Sequence, residues 1–490
     1  MTENDASSPR LWFLGAVVAA AAVLILARVL QRRFAEALAL DYVTELRLAL
    51  MSHVMRIPAD ARQPSSGLVM TRVVNDLSAI KLWIASGLVS ITVAIATLVA
   101  MSLMLAAYRP ALAIVLAIAA AIWCVPVLVS LKPLERHIRE SRRQRGRIAA
   151  RAGAILAARL TLLGFGRHGP TVRGLQRKSE QLNNALVGRA TVSGLLRSSG
   201  DLVFPVVVLS AVIGRLFFET GAFDAVSLGV LVLMAGLTAT HLSAVALGLE
   251  YRLAHKVALA RLTSVMEVPA LDLEKGQELA RRDGDGTIAV KSLRLDPDGR
   301  SVTMTAEPGE AVALEGLSVE EATDFVLKLS RLKEPAAETV FLGGRDATTV
   351  RTRNWWRNVT VVSPQLPLIK ANILKNGQIG AHSSISATER SRVLQRFGLL
   401  PMHMAMVVRE GAHHPGIPAV AIRAARAVLR RSAVVLVADD DLVAEETLFR
   451  VFVEELQSTN ATIVVATPLS ARLRRGFRAI DLGNTNARAA

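Results

Sequence analysis

The chain has 490 residues, 52% of them apolar and 20% charged, with a formal net charge of +17, a pI of about 10.9 and a mean hydropathy of +0.38. That length suits two or three domains, the apolar content points to a membrane protein rather than a soluble one, and the charge leaves nucleic acid and an anionic membrane face as the obvious partners. A single cysteine, Cys124, inside an apolar run and nine scattered histidines without an H-E-x-x-H pattern exclude a disulfide framework and a cysteine-based metal site, and argue against metal chemistry.

In chain order, Leu11 to Leu30 is a run of bilayer-spanning length, uncharged until Arg28 and closed by Arg32 and Arg33. The basic residues follow the run and the tail before it is acidic, so it reads as a span rather than a cleaved signal peptide. Leu82 to Ala107, Ala111 to Leu131, Leu202 to Phe218 and Ala225 to Leu249 are further apolar runs, which makes five spans. Between Lys132 and Arg197 there are fifteen Lys or Arg against three acids, whereas Tyr108-Arg109-Pro110 and Glu219 to Asp224 carry almost none. Segments rich in Lys and Arg stay in the cytoplasm. The pattern predicts a multi-pass protein of an inner or plasma membrane, its N-terminus outside and everything after Leu249 inside. The basic excess is then largely topological, which favours the lipid bilayer as partner over nucleic acid. Of the ionisable residues nearest the apolar runs, Arg215 sits near a span end and can snorkel, while His241 is deeper and is a candidate for lining a cavity.

The segments between spans are long. From Phe34 to Arg56, Leu38, Leu40, Val43, Leu46, Leu50 and Val54 recur at helical spacing, and Ile57 continues the pattern. Pro58 and Gln63-Pro64-Ser65-Ser66-Gly67 break that helix, and a second periodic run covers Leu68 to Ile80. The sequence L-R-L-A-L-M-S-H-V-M-R-I-P (Leu46 to Pro58) followed by G-L-V-M-T-R-V-V-N-D (Gly67 to Asp76) resembles the transmembrane domain of ABC exporters of the half-transporter type. In that family these residues form the first intracellular loop, whose coupling helix rests on a nucleotide-binding domain. Ala260-Arg261-Leu262 to Pro269 likewise resembles the link out of the last span. The family usually has six spans, and this chain looks like helices two to six.

Gln277 to Gly286, polar and charged, reads as a linker. Beyond it, short apolar runs at Thr287 to Leu293, Ala311 to Leu314, Val359 to Val362, Val434 to Ala438 and Thr462 to Ala466 alternate with helical stretches, an α/β pattern. The expected fold is a polytopic α-helical membrane domain of about five transmembrane helices with long cytoplasmic extensions (residues 1–270). A linker (271–286) joins it to a cytoplasmic α/β domain like an ABC nucleotide-binding domain (287–490).

Val312 to Asp324 stands where that domain would carry its phosphate-binding loop. A working loop reads G-x-x-x-x-G-K-[ST], so that backbone amides close round the phosphates, the lysine neutralises them and the hydroxyl holds Mg²⁺. Here Gly316 and Thr323 match, but Glu321 fills the second glycine slot, Ala322 the lysine slot, and Glu320 adds a negative charge. Other landmarks follow the resemblance. The Q-loop glutamine falls at Gln365, and the signature slot, bracketed by Glu410-Gly411 and Ala425-Arg426-Ala427, reads His414-Pro415-Gly416-Ile417-Pro418 in place of L-S-G-G-Q. The Walker B strand is Val434 to Val437, with either Ala438 and Asp439 or Asp439 and Asp440 at its acidic positions. Pro468 takes the switch histidine's slot, and no aromatic residue between Thr287 and Glu310 could stack on adenine. The ordinary readings weigh against a live site: Gly316 and Thr323 as a leftover turn, Gln365 as a packing residue, and the run Asp439-Asp440-Asp441 as acids at a helix N-terminus.

The resemblance implies that two such domains meet head to tail, each ATP lying between one chain's loop and the other's signature. Gly316, Thr323 and Gln365 are then remnant ATP and Mg²⁺ positions. No cofactor is expected on this chain alone, ATP with Mg²⁺ entering only through a composite site with a partner, and no catalytic residue or metal site is assigned. The expected function is an exporter-type half-transporter subunit with a degenerate ATPase domain, paired with another ABC half-transporter chain as a hetero- or homodimer. The alternative is a non-transporting membrane scaffold or regulator.

Overall fold

The structure, a computed structural model, describes residues 8–59, 76–217, 225–277, 286–295, 300–403, 405–407, 419–473 and 476–482. It divides into two compact units, Met1–Met55 with Arg62–Val268 and Arg56–Ala61 with Pro269–Ala490. The turn read at Gln63 to Gly67, much of the run Leu68 to Ile80, the loop Glu219 to Asp224 and most of the linker Gln277 to Gly286 lie outside the described residues.

The first unit is helical: α1 (Ser8–Val54), α2 (Leu77–Leu82), a π-helical turn (Trp83–Leu88), α3 (Val89–Tyr108), α4 (Pro110–Ala157), α5 (His168–Ser198), α6 (Val203–Phe217) and α7 (Ala225–Met266). Among the described residues five stretches are long and apolar enough to cross a membrane: Gly15–Val54, Leu77–Tyr108, Pro110–Ala157, His168–Ser210 and Gly229–Met266. The number matches the sequence reading, but the helices run far past the apolar segments. Helix α4 starts on Pro110, whose missing N–H is no loss at a first helical position, and continues through Pro126 and Pro133 for 48 residues. Its buried residues, among them Leu112, Leu116, Ala119, Trp123, Val127, Leu134 and Ile138, recur every three or four positions and form one packed face. Ile114, Ile118, Ile122, Val125 and Leu128 are exposed on the rest of the surface, as a helix solvated by lipid requires. Close contact is made at glycines. A Cβ on Gly248 would lie 2.5 Å from Ile91 and 2.9 Å from the Gly87 carbonyl, so α7 and the π turn meet backbone to backbone.

Two buried acids tie the polar ends of these helices together. Glu250 of α7, 4% exposed, accepts hydrogen bonds from Arg189 at 2.9 Å, Arg197 at 2.7 Å and the Ser193 hydroxyl at 2.6 Å. Asp76, 1% exposed, pairs with Arg142 of α4 and, at 3.5 Å, with Arg261 of α7. Part of the basic excess is therefore structural: Arg142, Arg189 and Arg197 all belong to the stretch that reads as topological in the sequence.

The second unit is α/β. Strands β1 (Ile288–Arg294), β2 (Ser301–Ala306), β4 (Val340–Leu342) and β5 (Arg345–Asp346) form an antiparallel sheet in the order β2-β1-β4-β5. Strands β3 (Ala311–Glu315), β6 (Val359–Val362), β7 (Val434–Val437), β8 (Thr462–Ala466) and β9 (Arg478–Asp481) form a parallel sheet in the order β6-β7-β8-β3-β9. The helices are α8 (Val319–Leu329), α9 (Thr352–Asn358), α10 (Ile373–Gly377), α11 (Ala387–Arg396), α12 (Ala419–Arg430), α13 (Asp440–Ala444) and α14 (Glu446–Gln457). The unbroken apolar runs of β7 and β8 follow from burial on both faces. Val435, Val437, Ile463 and Val465 enter the core beneath α12 and α14, while Val434, Leu436, Val464 and Ala466 enter the one shared with α8 and the antiparallel sheet. The sequence reading missed β2, β4, β5 and β9, three of which have four residues or fewer. Strand β2 was within reach, since Val302, Met304 and Ala306 are buried alternately with exposed neighbours.

Candidate functional site

In a parallel sheet, ligands bind beyond the carboxyl ends of the strands, and Gly316, Gln365 and Asp439 follow the ends of β3, β6 and β7. Gly316 follows β3 with a φ of +80°, a left-handed value that glycine adopts without strain. Helix α8 then begins at Val319, leaving only Gly316, Leu317 and Ser318 between strand and helix. A phosphate cradle interposes a whole G-x-x-x-x-G-K-[ST] run at this point. Here the first turn of a helix takes most of its place.

That first turn is closed from within. The Glu321 amide donates to the Ser318 hydroxyl at 3.2 Å, while the Ser318 amide and hydroxyl donate to the Glu321 carboxylate at 2.9 and 2.8 Å, a reciprocal capping box. Arg300 Nε donates to Glu321 Oε1 at 2.7 Å, and a second guanidinium nitrogen pairs with Oε2. Glu321 is 1% exposed. The amide-rich, positive end of α8 is where a phosphate group would bind, and the chain's own carboxylate already occupies it. Ala322, in the lysine slot, is buried in the core, and the Thr323 hydroxyl donates to the Val319 carbonyl at 2.8 Å.

Burial alone would raise the Glu321 carboxyl. The hydrogen bonds from Arg300 and Ser318, with the Arg300 charge, outweigh it and hold the group below the ordinary glutamate value. An acid lowered in the folded state stabilises the fold above its unfolded pKa of about 4.3 and loses that contribution as pH falls through the folded value. Glu321→Gln should therefore destabilise the second unit by about 2 kcal/mol at neutral pH. In thermal unfolding scans the gap between variant and native chain should close below about pH 4; a gap independent of pH would mean that the carboxylate charge is not what holds the turn.

At the ends of β7 and β8 the arrangement is similar. Asp439 is fully buried and caps α13, accepting from the Leu442 amide at 3.3 Å. Arg423 of α12 donates to both its oxygens, at 2.7 and 3.2 Å, and lies 3.7 Å from Asp441. Both carboxylate oxygens of Asp439 are thus engaged by the chain's own donors. Burial pushes the Asp440 carboxyl up, a hydrogen bond with Thr467 opposes the rise, and the charges of Asp439 and Asp441 add to it. Pro468 opens a 3₁₀ turn capped by Thr467.

Gln365 is exposed beyond β6, its backbone N–H donating to Ser363 Oγ at 3.2 Å. Three strand spacings, about 14 Å, separate β6 from β3. Gly316 and Thr323 therefore share one segment, and Gln365 leaves another. Glu410-Gly411 and the slot His414 to Pro418 lie outside the described residues, as do the side chain of Arg215 and its surroundings. Sequence reasoning missed Arg300 and Arg423, which lie 21 and 16 residues from their acids. The one available signal was general, that a buried carboxylate needs a partner.

The whole architecture has a solved counterpart. A bacterial Atm1-family ABC exporter with ATP bound matches 99% of this chain and 88% of its own with a TM-score of 0.81, a likeness of fold at 16% sequence identity. Residues 1–244 match the family model of the ABC transporter transmembrane region. The chain is a multi-pass membrane protein of the ABC exporter type. Among curated relatives of this exporter-type chain, the mycobactin import ATP-binding/permease protein IrtA of Mycolicibacterium smegmatis is 23% identical over 397 residues, 76% of this chain and 44% of the relative. IrtA of Mycolicibacterium thermoresistibile is 23% identical over 501 residues, 94% of this chain and 54% of the relative. An ATP-dependent lipid A-core flippase of Chromobacterium violaceum is 27% identical over 179 residues, 34% of this chain and 30% of the relative. The chain spans about half the length of the two IrtA proteins.

Proposed function

We propose that this chain is one half of an exporter-type ABC transporter that does not itself hydrolyse ATP and works in complex with an active half-transporter, to which it contributes membrane helices and coupling surfaces. In this reading residues 1–270 are the transmembrane domain, residues 287–490 a nucleotide-binding-like domain on the cytoplasmic side, and residues 271–286 the link between them. Gly316, Thr323 and Gln365 are then remnants of ATP and Mg²⁺ positions kept for shape. One observation carries the proposal: between β3 and α8 there is a three-residue turn capped by Glu321 and Arg300 in place of an open, lysine-bearing loop. ATP with Mg²⁺ does not fit that end of α8, because the Glu321 carboxylate already holds the Ser318 amide there and places a negative charge where a phosphate would lie.

Reconstitution of the full chain with and without a co-expressed half-transporter tests this reading. The chain alone should show no ATP hydrolysis above background. The pair should hydrolyse ATP and move substrate at a rate that depends on both chains. If no half-transporter co-purifies and no flux depends on the chain, the subunit reading fails in favour of a membrane scaffold.

A further inference from the structure

A second concave site lies wholly within the helical unit, a cavity of about 1030 Å³. One wall is a stripe of α7 formed by Leu249, Arg252, Leu253, Lys256, Leu259 and Thr263, three or four residues apart and hence on one face. The other walls come from Trp83, Leu88 and Ile91 around the π turn and from Leu131 of α4. The lining is apolar apart from a cationic rim. Arg252 is exposed and makes no hydrogen bond or ion pair among the described residues. Lys256 donates to Glu135 at 3.1 Å and is 65% exposed.

Two features set this cavity apart from a packing gap. The first is the π turn, a form that recurs at functional sites. It holds Trp83 with its ring centroid 6.1 Å from that of His255, and Gly87 makes room for it, since a Cβ there would lie 2.6 Å from the Trp83 ring and 3.0 Å from Tyr251. The second is the position along the helices. Leu131 is the last apolar residue before Lys132, Leu249 the last before Glu250, and Trp83 is the second residue of the apolar run that begins at Leu82 and continues through α3. The lining thus passes from the apolar runs of these helices into their charged extensions, the kind of boundary at which lipid headgroups meet protein and Trp, Arg and Lys serve as interfacial anchors.

We propose that this cavity is a binding site for an anionic phospholipid of the bilayer, its phosphate held by Arg252 and Lys256 and an acyl chain lying along Leu88, Ile91, Leu249 and Leu253. The apolar walls exclude a free phosphate as the natural occupant, because it would leave them wet. Arg252, without an ion-pair partner among the described residues, favours an anionic headgroup over a zwitterionic one, whose own cation would face the guanidinium. The site is independent of any ATP chemistry in the second unit.

The test places the full chain in nanodiscs of phosphatidylcholine containing increasing fractions of either phosphatidylglycerol or phosphatidylcholine brominated on the acyl chain, with tryptophan quenching as the readout. Brominated phosphatidylglycerol should reach half its effect at roughly one-fifth of the mole fraction that brominated phosphatidylcholine needs, about 1 kcal/mol for one interfacial cation. Trp83→Phe should abolish the difference, Arg252→Ala should reduce it, and Arg145→Ala, which removes an exposed cation outside the cavity, should leave it intact. Equal quenching by the two lipids overturns the proposal, as does a preference that survives in Trp83→Phe. Complete displacement by glycerol phosphate, a headgroup without tails, overturns it too. If Arg252→Ala does not fold, the comparison of lipids on the native chain and on Trp83→Phe still decides.

Discussion

ATP with Mg²⁺ is expected to bind the full-length chain no more tightly than the millimolar range. An open phosphate loop offers unpaired amides and a lysine. This one offers a helix end whose capping amides are already bonded, a buried Glu321, an exposed Glu320 and an alanine facing the core. Losing the attractive lysine charge about 4 Å from a phosphate is by itself worth about 4 kcal/mol at the effective dielectric of a protein surface. A loss of that size moves a micromolar site to a millimolar one. Titration of a fluorescent ATP analogue into nanodisc-embedded chain, with Mg²⁺ present, measures this directly. A micromolar dissociation constant would remove the basis for the proposed pseudo-ATPase. Restoring the lysine with Ala322→Lys should not rescue binding, because position 322 points into the core: the ammonium would be buried without a partner and the variant should unfold more easily.

The membrane architecture was legible because lipid imposes a simple demand. A span must be apolar over some twenty residues, and five such stretches stand out in the sequence without reference to anything they touch. What the same residues do in packing was not legible. Arg142, Arg189 and Arg197 look like members of one basic segment until the fold brings Asp76 and Glu250 to them across 53 to 66 residues. The candidate site divides in the same way. Glu321 and Ala322 were visible as departures from a motif, since a motif is a local pattern and its loss is local. That Glu321 makes a capping box could also have been read, because Ser318 followed three residues later by a glutamate is the signature of one. The contribution of Arg300 could not, since it comes from a different strand connection. The short strands β4, β5 and β9 carry too few residues for alternation to show, and their pairing partners define them more than their own side chains do.

The sharpest structural test concerns Arg423 and Asp439, because sequence alone places Asp439 at or beside the acidic positions of Walker B, where a carboxylate serves Mg²⁺ or the attacking water. In the fold it is fully buried and bonded to a guanidinium that is itself only 10% exposed. Arg423→Ala leaves that carboxylate without its cation in a low-dielectric site, and the expected loss is about 3–5 kcal/mol. Asp439→Asn keeps an oxygen to cap α13 and leaves Arg423 a path toward exposed Asp441, so its loss should be smaller, about 1–2 kcal/mol. The double variant Arg423→Ala, Asp439→Asn removes both charges at once and should lose less than the sum of the two single variants, giving a coupling energy of about 2 kcal/mol or more. Thermal unfolding of the four proteins completes the cycle, and repeating it with Mg²⁺ adds the functional arm. A carboxylate reserved for a metal gains stability from the metal by mass action, whereas one neutralised by its own arginine does not, so Mg²⁺ should leave the native chain's transition where it is. Additive losses with a Mg²⁺-dependent rise would mean that Asp439 is a metal ligand with an arginine nearby. Strong coupling with no response to Mg²⁺ is what a strand end closed by its own charges requires.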